Sequence, residues 1–153
     1  MDNIVDTLMD TSRRVLYALD FNKKNGSVIN EARLKFFPSD TVFHIVTVIP
    51  RVHDATGILR DVIDECNEER LNMSRSTLRN LVEPLRSEYR LQTAVIIDNS
   101  TSNAIKEYVE QHRIDCVILN GRKHGFWGRY ISGEQERIIN VLDCDVIIAK
   151  KSC

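Results

Sequence analysis

The chain has 153 residues, 42% of them hydrophobic and 28% charged, with a formal net charge of −1. That length predicts one domain whose core needs no disulfide or metal staple. The near-neutral balance excludes a general electrostatic drive toward nucleic acid or an anionic membrane, and no apolar run approaches the ~20 residues of a membrane-spanning helix.

The start is acidic (Asp2, Asp6) and lacks the basic region and long apolar core of a secretory leader, which predicts a cytoplasmic protein. Ile4, Val5, Leu8 and Met9 fall on one face of a short helix, so residues 1–12 read as a helical extension and 13–153 as the domain proper. Val15, Leu16, Tyr17, Ala18 and Leu19 predict a buried strand ending at Asp20. After a turn at Lys23, Lys24, Asn25 and Gly26, helical spacing of Val28, Ile29, Ala32 and Phe36 predicts a helix that Pro38 stops.

Residues 41–49, with Val42, Ile45, Val46 and Val48, predict a central strand ended by Pro50. The longest helical pattern begins near Gly57. Its expected buried face is Leu59, Val62, Ile63, Cys66, Met73, Leu78, Leu81, Val82 and Leu85, with Pro84 ending or kinking it. Its polar middle, Asn67, Glu68, Glu69 and Arg70, reads as a solvated face. A third strand is expected over residues 93–97, then a helix capped by Ser102 with Ile105, Tyr108, Val109 and His112 on one face. Residues 116–119 predict a fourth strand, and Val146, Ile147, Ile148 and Ala149 a fifth.

Between those last strands lies a glycine-bearing loop, Asn120 to Ser132, leading into a helix whose opening Ser132, Gly133, Glu134, Gln135 fits a capping box, with Ile138, Ile139 and Leu142 on its buried face. Strands alternating with helices imply right-handed crossovers and a parallel, doubly wound α/β sheet with helices on both faces. Ligands of such sheets sit outside the carboxyl ends of the strands, against loops and helix N-termini, which directs attention to this loop. Its cations, Arg122, Lys123 and Arg129, read as a solvated loop or as phosphate ligands. Its apolar cluster, Phe126, Trp127, Tyr130 and Ile131, reads as a lid over the crevice or as an interface patch, ahead of a platform for stacking on a base.

Catalytic signatures are missing. The sequence contains no G-x-S-x-G elbow and no complete phosphate-binding P-loop, and its cysteines (Cys66, Cys116, Cys144, Cys153) and histidines (His44, His53, His112, His124) lack ligand spacing, so neither metal nor catalytic residues are expected. Asp20, His124 and Glu134 could gather as acid and base, but no substrate is named by the sequence. Cys116 and Cys144 precede neighbouring strands, leaving a disulfide conceivable though out of keeping with a reducing compartment.

The β-α alternation, the opening Val15, Leu16, Tyr17, Ala18, Leu19, Asp20, the phrase from Val117 to Gly133 with Arg122, His124, Gly125 and Arg129, and the ending Cys144 to Ala149 together resemble the universal stress protein family over about residues 13–150. The resemblance implies an open five-stranded parallel sheet of order 3-2-1-4-5, Rossmann-like and similar to the adenine nucleotide alpha hydrolases, with a crevice between strands 1 and 4. Some members of that family hold ATP there and others do not. Binders carry a loop of Gly, two residues, Gly, nine residues, Gly, then Ser or Thr. Aligned on Gly133, this chain has Asn120 and Lys123 at the first two glycine positions and Glu134 at the hydroxyl position. Asp20, whose counterpart contacts the nucleoside, Val48, which would line the base, and the loop's Arg122 remain, and Gln135 follows Glu134.

A helix N-terminus attracts an anion by about 0.3–1 kcal/mol when exposed. A carboxylate ~5 Å from a phosphate oxygen opposes it by roughly 3 kcal/mol per unit charge at an effective dielectric of ~20. The crevice is therefore expected to have lost ATP or to bind it weakly, leaving no cofactor. The expected function is a non-enzymatic stress-response or regulatory protein. It would pair as a homodimer through the apolar edge strand Val146, Ile147, Ile148 and Ala149 and act on a protein partner. The alternatives are a sensor of ATP or AMP, or an accessory domain serving a kinase or transporter.

Overall fold

A computed structural model describes residues 12–21, 28–53, 56–121 and 133–150. The expected helix at 3–10, the turn at 23–26, the cationic and aromatic loop from Arg122 to Ser132 (including Lys123 and His124) and Cys153 lie outside the described residues.

Five strands form the sheet: β1 (Arg14–Leu19), β2 (Val42–Ile49), β3 (Arg90–Ile97), β4 (Cys116–Gly121) and β5 (Asp145–Lys150). All neighbouring pairs are parallel and the order is β3-β2-β1-β4-β5. Among the described residues four helices connect them: α1 (Glu31–Leu34), α2 (Arg60–Val82), α3 (Thr101–His112) and α4 (Gly133–Val141), with a 3-10 turn at Glu83–Leu85 where Pro84 stands. The chain runs outward from β1 through β2 to β3, then returns to the other side of β1. Right-handed crossovers therefore put α1 and α2 on one face and α3 and α4 on the other.

The core follows that division. Tyr17, Phe43, Ile45, Leu34, Leu78 and Val82 are buried on the first face; Leu16, Val46, Val117, Ile105 and Ile138 on the second. Alternation along each strand sends one residue to each layer, and the apolar runs supply both. Among the described residues no helix is long and apolar enough to cross a membrane.

Three local expectations need correction. The helix before Pro38 is only four residues long: Leu34 is buried, at 1% exposure, while Phe36 is 69% exposed and Val28 is also exposed. So short a helix cannot pay for its own nucleation, and the side chain that reaches the sheet sets its face. Leu59, at the N-cap of α2, and Val62 and Met73 within it are exposed. The 23 residues of α2 extend ~34 Å, against ~26 Å for an eight-residue strand, so the first turns overhang the sheet. Met73 lies off the buried stripe, which instead carries Asn67, at 4% exposure, with Leu78 and Val82. Asn67 is thus a packed residue and not part of a solvated face. Finally, Ser100 and not Ser102 caps α3: its Oγ accepts from the Asn103 N–H at 3.3 Å, and its own N–H donates to Asp98 Oδ1 at 2.8 Å.

Cys116, the first residue of β4, pairs in register with Asp145, so Cys144 lies near enough for its charge to act on the Cys116 thiol, while Cys116 packs in the first layer and Cys144 against the second. Both are free thiols.

Candidate functional site

The change of direction at β1 makes the carboxyl ends of β1 and β4 the topological switch point, where an open α/β sheet leaves a crevice. The register pairs Ala18 with Leu119, so Asp20 and Gly121 follow level with one another on the two sides of it. Thr47 pairs with Leu19 on the β2 side, bringing Val48 alongside Asp20. The buried Thr47 hydroxyl donates to the Leu19 carbonyl at 2.9 Å and fixes the end of β1 just before Asp20. Asp20 and Val48 are both half-buried, and Val48 packs against the α3–α4 layer.

Asn120, half-buried near the end of β4, is the hub. Tyr17 Oη donates to Asn120 Oδ1, and Asn120 Nδ2 donates to the Val28 carbonyl at 2.7 Å. The Asn30 N–H donates to Tyr17 Oη at 3.0 Å. From the other face, Gln135 Nε2 donates to the Asn120 main-chain carbonyl at 2.7 Å. Burial pushes the Tyr17 phenol above its ordinary pKa, partly offset by the Asn30 N–H and the Arg33 guanidinium, so it remains a donor at neutral pH. One residue of β4 therefore ties together the segment before α1, the buried tyrosine of β1 and the first turn of α4.

Gly133 and Glu134 are exposed at the start of α4, and Glu136 joins Glu134 as a second acid in its first turn. Those carboxylates complement the partial positive charge of the helix end. A Cβ added to Gly133 would meet nothing within 4 Å, so packing does not require a glycine there. The structure brings Asn120 and Gln135 into contact and places Asp20 and Val48 beside the same strand ends. Arg122 and Lys123 lie outside the described residues.

The sequence reading overlooked Tyr17, Asn30 and Glu136. The signal for Tyr17 was present: a tyrosine inside an otherwise aliphatic strand must find a partner for its hydroxyl once buried. Among the described residues no group of three His, Cys, Asp or Glu side chains is placed to hold a metal. The other polar cluster, His44, Tyr108 and His112, lies toward the amino end of the sheet, where His44 pairs with Leu16 and Gln92.

A five-stranded, doubly wound parallel sheet with its crevice at the β1/β4 switch point defines a Rossmann-like α/β domain. The chain belongs to the universal stress protein family, whose model matches residues 11–150. Its fold is similar to those of the hypothetical protein MJ0577 (12% identity, TM-score 0.73, covering 92% of this chain and 97% of that one) and the universal stress protein UspA from Lactobacillus plantarum (15%, 0.67, 89% and 96%). It is also similar to a universal stress protein family protein from Arabidopsis thaliana solved with AMP bound (13%, 0.58, 92% and 93%). No protein in the curated collections matches the sequence.

Proposed function

We propose that this protein is a non-enzymatic regulatory member of its family in which ATP binding is lost or weak, acting in the cytoplasm as a homodimer on a protein partner. The observation that carries the reading is the pair of acids, Glu134 and Glu136, in the first turn of α4. The family's phosphate loop leads into that helix, and a phosphate there would meet carboxylates in place of a hydroxyl. Repulsion of roughly 3 kcal/mol per charge at ~5 Å outweighs the helix-end attraction of about 0.3–1 kcal/mol. The Asn120 carboxamide, standing where binders have a glycine, points the same way: it adds bulk and hydrogen-bonds to the protein's own Val28 carbonyl. For the dimer, β5 is an edge strand, and an edge leaves a row of main-chain donors and acceptors open to a second copy.

A second reading, a sensor of AMP, draws on the Arabidopsis relative with AMP bound and on Asp20 and Val48 beside the crevice. A monophosphate carries less charge toward Glu134 than a triphosphate does. Mass spectrometry of the supernatant from heat-denatured, freshly purified protein separates the two readings. The first predicts no adenine nucleotide near one per chain. AMP at that level establishes the second, and ATP at that level refutes the loss of triphosphate binding.

A further inference from the structure

Four of the six large hydrophobic side chains exposed among the described residues lie at 58–73: Ile58 (82%), Leu59 (53%), Val62 (60%) and Met73 (71%). Exposed apolar side chains scattered singly need no explanation, but these gather on one helix and its approach. Leu59, Val62, Cys66, Glu69 and Met73 follow one another at alternating steps of three and four, the spacing of a seam between two helices. We propose that this side of α2 is the docking surface for the protein partner, and that the partner offers it a basic amphipathic helix. The inference takes from the proposed function only that a protein partner exists; neither the crevice nor β5 enters it.

The fold does not use this side of α2. Its buried residues are Asn67, Leu78 and Val82, and Val62 stands ~140° from Asn67 around the axis at ~100° per residue. Val62 and Met73 lie within ~20° of each other and ~16.5 Å apart along the axis, a run that one facing helix can cover.

Charge selects the partner. Asp61, Asp64, Glu65, Glu68 and Glu69 are all exposed, and residues 61–69 contain no Lys or Arg. Among the described residues these carboxylates form no ion pair. Arg70, the next cation along, is turned to the Pro50 carbonyl. The whole chain carries only −1, so the negative surface is local to this helix. Apolar side chains spaced three and four apart fill the seam, and Lys or Arg beside them meet the acids, one of them opposite Glu69. A second copy laid face to face on the same surface sets acids against acids, and an anionic bilayer repels them, so neither matches.

Fluorescence anisotropy of the full chain with a labelled synthetic helix of Leu and Lys, its leucines at heptad a and d positions, tests this. The controls are a scrambled peptide of the same composition and one with Glu in place of Lys. The seam predicts saturable binding of the patterned Lys peptide and about tenfold weaker binding of both controls. It predicts a similar loss in the variant Val62→Ser, Met73→Ser and in the variant Glu65→Gln, Glu68→Gln, Glu69→Gln. The substituted side chains are exposed, so both variants should fold as the wild type does. No saturable binding, equal binding of the scrambled peptide, or undiminished binding by the serine variant overturns the proposal. So does a lower particle mass of the serine variant in light scattering, which assigns the seam to a second copy. Co-sedimentation with phosphatidylserine vesicles that the serine variant loses assigns it to a membrane and overturns it equally. None of these results depends on nucleotide, which the mass spectrometry above reads separately.

Discussion

Asn67 is joined to Val52 as one strand is joined to another: its Oδ1 accepts the Val52 N–H at 2.9 Å and its Nδ2 donates to the Val52 carbonyl at 3.1 Å. Arg70, one turn along α2, donates to the Pro50 carbonyl at 2.7 Å. The Arg51 N–H reaches Asn99 Oδ1 at 3.0 Å, and Asn99 also bonds His53. The segment leaving β2 is thereby fixed between α2 and the end of β3, beside the crevice. Asn67→Leu keeps the volume and strands two main-chain groups, which costs about 1–3 kcal/mol. Urea denaturation should show a loss in that range, and stability within experimental error of the wild type would mean the clamp contributes nothing.

The same residues show what a sequence can and cannot disclose. All five strands were legible because a parallel sheet buried on both faces demands uninterrupted apolar runs, and 42–49 and 116–119 are such runs. The buried face of α2 was not. Asn67 occupies a stripe position, so the apolar pattern was completed with Val62 and Met73, which are exposed. Ser100 and Ser102 are equivalent by propensity, and only the chain direction leaving β3 chooses Ser100 as the cap. At the crevice, strand ends located Asp20, Val48 and Asn120. Tyr17 was hidden because an aromatic residue in an apolar run reads as core, and its bond to Asn120 spans 103 residues.

His44 makes stability depend on acid. Its ring is 4% exposed, its Nδ1 lies 2.7 Å from Tyr108 Oη, and the His112 ring is 5.4 Å away. Burial, then the charges of His112 and Arg14, lower its pKa to about 4. In the unfolded chain the value is ~6.5. The folded state thus binds the proton less readily than the unfolded one, so the neutral ring's contribution is complete above pH ~6.5 and is lost as pH falls toward 4. A shift of this size corresponds to ~3 kcal/mol, most of it lost by pH 4.5. Urea titrations at pH 7 and pH 4.5 should show that loss in the wild type and a smaller one in His44→Gln. Equal slopes with pH in both proteins would assign the acid sensitivity to other groups.

The thiols at the start of β4 and before β5 should be inert in the folded protein. Burial raises the Cys116 pKa to about 11 and also raises that of Cys144. The thiolate is the reactive form, so iodoacetamide at pH 8 should label Cys116 only after unfolding. Fast labelling of native Cys116, or a Cys116–Cys144 disulfide after mild oxidation, would contradict this arrangement.

Pairing through β5 predicts a particle of twice the 17.6 kDa of one chain in light scattering at micromolar concentration. Ile147→Pro removes one main-chain donor from that strand and should shift the particle toward the monomer. Circular dichroism must remain that of the wild type for the comparison to count. A wild-type monomer removes the proposed dimer outright.

The most direct test of the account is calorimetric titration with ATP, with and without magnesium, of the wild type and of the Glu134→Ser, Lys123→Gly double variant. Removing the carboxylate next to a phosphate relieves roughly 3 kcal/mol, or about a hundredfold in affinity. The account predicts no saturable binding by the wild type below about 1 mM and measurable binding by the double variant. Stoichiometric, micromolar binding of ATP by the wild type would contradict it.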